Sequence, residues 1–208
     1  MNSLDVIQLR KAQIANASEI AAKAFEDDPV FCYLTPDDPK LRLQALTWLT
    51  SRAIAYCTQY NHTYTTSDLQ GIAAWLPPGD FPSNPLQLLQ MVLQLQLYTL
   101  PLNVGWNRLG RWLNFLSATE QIHHQDMGDQ PHWYLGVLVV NPVFQGQGMG
   151  SRLIQPILQR ASDEGLACYV VTFTEQAVRF YQKNGFEILR NQKPAPEVSP
   201  FWTLKRNP

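Results

Sequence analysis

The order of secondary-structure signals predicts a mixed α/β fold with a central sheet, part of it parallel. Three observations lead there. Two apolar runs of buried-strand type, Tyr134–Val140 and Cys168–Thr174, alternate with segments of helical periodicity. A turn-centred pair of strands lies earlier, at His62–Pro78. A glycine-rich stretch, Gln145–Gly150, joins one of the apolar runs to a helical pattern.

The elements follow in order. VIQLRKA (Val6–Ala12) reads as a first strand. SEIAAKAF (Ser18–Phe25) reads as a helix with Ser18 as its N-cap, stopped by EDDP. A longer helix runs from about Pro39 to Tyr60, with Asp38 as cap and Pro39 in the first helical position. The two strands of His62–Pro78 turn around SDLQG, where Asp68 and Gly71 favour the turn, and Pro77 and Pro78 end the second strand. Two helices follow, at about 85–98 and 106–126. The section 79–131 is a helical insertion that covers one end of the sheet. Then come a strand at Trp133–Val140, the glycine loop, a helix to about Glu164 and the strand Cys168–Thr174. EQAVRFYQKNG is a short helix ended by Gly185, and GFEILRN and SPFWTLKR supply two last strands.

The bulk properties exclude several classes. With 208 residues, 45% hydrophobic and 16% charged, the chain suits one sizeable domain over 1–208, or at most two small ones, and not disorder. A net charge of -1 and a sequence pI of about 6.4 give no bulk pull toward nucleic acid or an anionic membrane. Cys32, Cys57 and Cys168 are too few and too scattered for a disulfide framework or a zinc site. They read as free thiols of a cytoplasmic protein, and no metal is expected. The N-terminus, MNSLDVIQLRKA, lacks the apolar core of a signal peptide. Pro85–Trp106 is apolar, but Gln87, Gln90, Gln94 and Gln96 interrupt it and Pro101 breaks it. It reads as a helix buried on one broad face and not as a membrane span.

The glycine loop carries the chemistry. A strand that leads through glycines into a helix leaves free backbone N–H groups at the helix start, where the dipole favours an anion. Glycine lets a phosphate approach those amides. A nucleotide-hydrolysing P-loop needs Gly-Lys-Ser/Thr at its end, and this loop ends Gly148-Met149-Gly150-Ser151 without lysine. A dinucleotide fingerprint needs GxGxxG within an early βαβ unit, and neither is present. The pyrophosphate of coenzyme A is the third ligand of this kind. The bland alternative is that the glycines serve close packing alone.

Three motifs decide between these. Gln145-Gly146-Gln147-Gly148-Met149-Gly150 fits Q/R-x-x-G-x-G/A, Leu138–Pro142 fits L-x-V-x-P, and Ala177–Ile188 fits A-x-x-F-Y-x-K-x-G-F. In this order and spacing they resemble the GNAT superfamily of acyl-CoA-dependent N-acetyltransferases, over about residues 132–190. Within it, PHWYLGVLVVNPVFQGQGMGS, FYQKNGF, Pro156 and the FWTLKRNP ending look most like the puromycin N-acetyltransferase branch. The resemblance implies a twisted, mostly antiparallel sheet with a splayed parallel pair and helices on both faces. It implies acetyl-CoA as cosubstrate, with Leu138, Val139 and Val140 along its pantetheine arm. It places the pyrophosphate on the amides of Gln145, Gly146, Gln147, Gly148, Met149, Gly150 and Ser151, with Arg152 adding charge nearby.

Acetyl transfer to an amine also needs a base for the amine proton and an acid for the departing thiolate. By resemblance Tyr181 is the acid; its alternative is a tyrosine packed on the core. The chain departs from its nearest look-alikes where they carry Glu-Thr, having Val171-Thr172, and where they carry Asn, having Ala177. The base is therefore open. Glu175, His132 and the pair His123-His124 have suitable chemistry, and each otherwise reads as a surface or cap residue. The segments around 26–36 and 79–131 hold Phe31, Tyr33, Phe81, Tyr98, Trp106, Trp112 and Phe115, which points to a small apolar or aromatic amine or, more blandly, to core. Few carboxylates lie there for a polycation, Asp126 and Asp129 excepted. Two other readings stand beside this one: an acyl-CoA-binding sensor without turnover, and a protein N-terminal acetyltransferase. The chain is expected as a monomer or homodimer.

Overall fold

The computed structural model describes residues 5–82, 85–192 and 201–208. Met1–Leu4 of the N-terminal segment, Ser83 and Asn84 of the insertion, and Ser199 and Pro200 at the start of the last expected strand lie outside them. Seven strands form one sheet: β1 (Val6–Gln8), β2 (Thr63–Thr66), β3 (Gly71–Leu76), β4 (His132–Val140), β5 (Ala167–Thr172), β6 (Glu187–Gln192) and β7 (Phe201–Arg206). Their spatial order is β1-β2-β3-β4-β5-β7-β6. Every neighbouring pair is antiparallel except β4 and β5.

Eight α-helices accompany the sheet among the described residues: α1 (Ile14–Ala24), α2 (Pro29–Leu34), α3 (Pro39–Thr58), α4 (Pro85–Gln94), α5 (Leu100–Val104), α6 (Leu109–Met127), α7 (Met149–Glu164) and α8 (Glu175–Lys183). One face of the sheet packs on α7 and α8. There Leu153, Ile154 and Ile157, spaced for one helical stripe, bury against Trp75, Trp133 and Leu135. The other face packs on α1 and α3, where Ala17, Ala21 and Ile54 meet Ile72, Ala74, Val137 and Val139. A third cluster ties α2, α3, α5 and α6 together around Val30, Leu34, Leu100 and Trp112.

Local signals explain most boundaries. Asp38 accepts a hydrogen bond from Leu41 N at 2.9 Å, with Pro39 in the first turn, so α3 starts where its cap predicts. Thr174 caps α8 through Ala177 N at 3.2 Å. One expectation fails and another holds with an addition. Ser18 is not a cap: α1 already begins at Ile14, and buried Ser18 donates its hydroxyl to Ile14 O at 2.6 Å. The residues EDDP end one helix but also begin another. Asp28 accepts from Val30 N at 2.9 Å and caps α2, with Pro29 in its first turn.

The apolar run Pro85–Trp106 departs furthest from its expected form. Gln96 takes φ 53°, and the segment divides into α4, a 3-10 turn at Leu97–Thr99 and α5. Leu100 and Val104 are buried, while Leu86, Leu89, Leu93, Leu102 and Trp106 remain exposed. Among the described residues, no helix is long and apolar enough to cross a membrane.

Candidate active site

The site begins with a fault in β4. Trp75 pairs with Leu135, but the next register partner of β3, Ala74, pairs with Val137. Gly136 is the extra residue of a β-bulge. The bulge turns the strand's faces over. Trp133 and Leu135 before it face α7, whereas Val137 and Val139 after it face α1 and α3. The parallel pairing of β4 with β5 stops at the same point, at Leu135↔Val170. Beyond it β4 pairs only with β3, up to Val140, and β5 only with β7, up to Thr172. The two strands splay, and the edge of Gly136–Val140 that faces β5 has no strand beside it. Leu138 and Val140 are half-buried on the α7 side, and Val139 is buried on the other.

At the end of this open edge lies the glycine loop. Asn141 N–H donates to Gln70 O at 2.8 Å, and the Gln145 side-chain amide donates to Val140 O at 3.1 Å, so the strand end is fixed at both sides. The first helical backbone bond of α7 runs from Arg152 N to Gly148 O. The amides of Gly146 through Ser151 donate to no acceptor among the described residues. Gly146 and Gly148 have φ of +77° and +76°, and a Cβ on either would meet nothing within 4 Å. Space therefore opens beside unspent donors at the positive end of a sixteen-residue helix. Gly150 has a different reason to be glycine. A Cβ there would lie 3.0 Å from the Phe180 ring, so its smallness lets α7 pack on α8. Arg152 is exposed beside the loop.

Tyr181 of α8 joins the core cluster on the α7 side of the sheet. Its ring sits between Phe180 and Phe186, at 5.2 and 5.4 Å, and is buried. Its hydroxyl makes no hydrogen bond among the described residues. Burial pushes its pKa up, and the nearby Tyr134 phenol pushes it further. Burial also pushes Tyr134 up, to about 12. Tyr134 precedes the bulge by two residues and packs on the α1 and α3 side of the sheet. Val171 and Thr172 continue β5 beside Thr203 and Trp202 of β7. Ala177 packs against the α7 core, and Glu175 is exposed, 3.4 Å from Arg179.

Two histidines expected at the surface are instead buried together. His123 Nε2 and His132 Nε2 are 2.8 Å apart, and His132 Nδ1 lies 2.7 Å from Gln130 O. A carbonyl only accepts, so His132 carries its proton on Nδ1 and accepts on Nε2 from His123. His132 is then neutral. Burial lowers both pKa values, with His132 adding to the effect on His123, which falls to about 4. The pair joins Phe81, Tyr134 and Tyr169 in an aromatic cluster, with Phe81 3.9 Å and Tyr134 5.7 Å from the His123 ring. The sequence held a signal for this: His132 shares the strand parity of Tyr134, and His123 stands one helical turn before buried Met127. His124 next to it is exposed.

The acceptor-side aromatics divide. Phe31 and Phe115 meet Phe173, which follows β5, at 6.0 and 5.8 Å, and Trp112 is core. Tyr98 and Trp106 point to solvent. Asp126 is not free for a cation. It accepts from the Tyr169 hydroxyl at 3.1 Å and pairs with Arg190.

Comparison with known proteins agrees with this geometry. Residues 96–186, which include β4, the glycine loop, α7, β5 and α8, match the acetyltransferase (GNAT) family. Over that stretch, less than half of the chain, the protein is similar to this family. It is 26% identical to an uncharacterized N-acetyltransferase of Schizosaccharomyces pombe, over 82% of this chain and 69% of that protein. It is 24% identical to a probable serine/threonine-protein kinase of Dictyostelium discoideum, over 87% of this chain but only 28% of the kinase's length. Three solved structures share the fold. An agmatine N-acetyltransferase mutant (TM-score 0.70, 14% identity) covers 98% of this chain and 99% of its own. A Corynebacterium glutamicum structure described as histone acetyltransferase HPA2 and related acetyltransferase (TM-score 0.65, 19% identity) covers 98% and 95%. A mosquito arylalkylamine N-acetyltransferase-like protein (TM-score 0.60, 14% identity) covers 98% and 99%.

Proposed function

We propose that this protein is a GNAT acetyltransferase that moves an acetyl group from acetyl-CoA to the amine of a small acceptor. The observation that carries the reading is the row of unspent amides from Gly146 to Ser151, continuous with the open edge of β4. Diphosphate chemistry fits those donors, and an extended amide-bearing arm fits a strand edge with no neighbour. The cosubstrate supplies an activated thioester. The chain's residues supply the rest. Leu138, Val139 and Val140 line the arm, the amides of Gly146 through Ser151 hold the diphosphate while Gln145, bonded to Pro142 O and Val140 O, fixes the loop, and Arg152 adds a cation beside it. Tyr181 hands its proton to the departing thiolate. Its unbonded phenol is free to do so, and its raised pKa keeps it protonated at neutral pH.

The acceptor is a small amine of apolar or aromatic character. The agmatine and arylalkylamine enzymes that share the fold carry small amines in their names. Here the wall beside Phe173 is built from Phe31 and Phe115, and Asp126 is already paired. That favours an aryl or alkyl amine over a polyamine, and it is compatible with the puromycin N-acetyltransferase branch that the motifs resemble. The test has two parts. Acetyl-CoA at ~100 times its dissociation constant adds about 2.7 kcal/mol of stability, read as a thermal shift. Thiol release with an amine panel then follows turnover. A thermal shift without release for any amine would make the protein a sensor, and release with peptides alone would make it a protein N-terminal acetyltransferase.

A further inference from the structure

We infer that this protein pairs with a second copy of itself through the uncharged surface of the insertion, which begins on the outer face of α4 and continues over α5 and the start of α6.

Helix α4 has the sequence of a buried helix and the position of a surface one. Leu88, Met91 and Val92 are half-buried on one side of it. Leu86, Leu89 and Leu93, spaced i, i+3 and i+7, share its exposed side. A helix that is apolar all round is ordinarily covered all round. Yet no described α4 side chain belongs to any of the three core clusters. The exposure continues along the chain at Tyr98, Leu102, Trp106 and Leu113. These seven make up most of the eleven large apolar side chains that are exposed among the described residues. Their elements are joined: α4 packs on the turn at Leu97–Thr99, that turn on α5, and α5 on α6. Leu100, Val104 and Trp112 anchor α5 and α6 in the third cluster.

Two observations select a second copy as the occupant. The first is area. All seven side chains are between 54% and 78% exposed. With roughly 180 Å² for a whole leucine and roughly 250 Å² for a tyrosine or tryptophan, they present on the order of 900 Å². A stable complex takes about 800 Å² from each partner, whereas the largest apolar patch of an ordinary monomer is about 300–600 Å². The second is charge. A two-fold contact sets a patch against itself, so any net sign on it repels. From Pro85 to Leu113 only Arg108 and Arg111 are charged. Both turn into the fold and donate to Tyr33 O, at 3.2 and 3.0 Å. The exposed amides of Gln90 and Gln94 both donate and accept, so they match their own copies. A membrane surface fits less well, because α4 has ten residues and the segment turns no cation toward headgroups.

The test is light scattering and sedimentation velocity of the full chain at about 100 µM, above the micromolar range in which the weakest interfaces of this size dissociate. The expected mass is twice the 23.7 kDa of one chain. Leu89→Lys combined with Leu93→Lys sets like charges across the two-fold and returns the mass to one chain. Trp106→Glu, on the next exposed element, does the same, so a folding failure in α4 leaves the surface testable. Leu41→Lys changes an exposed leucine of α3 outside the patch and keeps the doubled mass. Circular dichroism confirms the wild-type helix signal in each variant. A wild type of single-chain mass overturns the proposal, and its flotation with phosphatidylcholine vesicles would assign the surface to lipid instead. A doubled mass that persists in either folded variant, or is lost in Leu41→Lys, overturns it too.

Discussion

Gly148 tests the anion site at a single atom. Its φ of +76° strains any side chain, and the space beside it is where the diphosphate is proposed to lie. Gly148→Glu adds bulk and negative charge there, so the thermal shift by acetyl-CoA disappears. A variant that keeps the wild-type shift would remove the diphosphate from this loop. Tyr181→Phe tests the acid: kcat falls by about 10²- to 10⁴-fold while acetyl-CoA binding is unchanged. A fall in binding alone would return Tyr181 to the core role that its packing against Phe180 and Phe186 also allows. Residue chemistry was legible from sequence where main chain carries the function, because glycine spacing reports backbone need directly. It was not legible for His123 and His132. Nine positions separate them, and only the packing of α6 against the start of β4 brings their rings together.

Among the elements, α7 and α8 are coupled through Gly150 and Phe180. The signature reads all three glycines alike, yet the third is spent on helix packing. Gly150→Leu therefore costs about 1–3 kcal/mol by overpacking, seen as a lower denaturant midpoint. Equal stability would show that Phe180 moves aside freely. The cap of α3 offers a cleaner case. Asp38→Ala removes the acceptor for Leu41 N and costs about 1 kcal/mol in the same measurement. Caps, prolines and the buried strands were readable because each acts over a few residues. The break of Pro85–Trp106 into α4 and α5 was not, since its Gln96 turn has neither glycine nor asparagine to announce it. The same limit hid the bulge. Gly136 looks like any strand glycine until β3 supplies its register.

At the scale of the whole molecule, the buried histidine pair links the insertion to the sheet and makes folding depend on pH. Unfolded histidine titrates near 6.5, whereas folded His123 titrates near 4 and folded His132 is also lowered, both chiefly because burial disfavours the charged ring. Between those values the unfolded chain binds more protons than the native one, so stability rises with pH. The contribution is complete above about pH 6.5 and is lost as pH falls toward 4. For His123 it is on the order of 3 kcal/mol. Carboxylates titrate in the same window, which makes the wild-type curve alone ambiguous. The decisive quantity is the difference between wild type and His123→Gln in denaturant midpoint at pH 7 and pH 5. The wild type loses more stability over that interval, because only it must charge a buried ring pair. Parallel curves would mean that His123 is as easily protonated in the folded protein as in the unfolded chain, and that α6 is held to β4 by its apolar contacts alone.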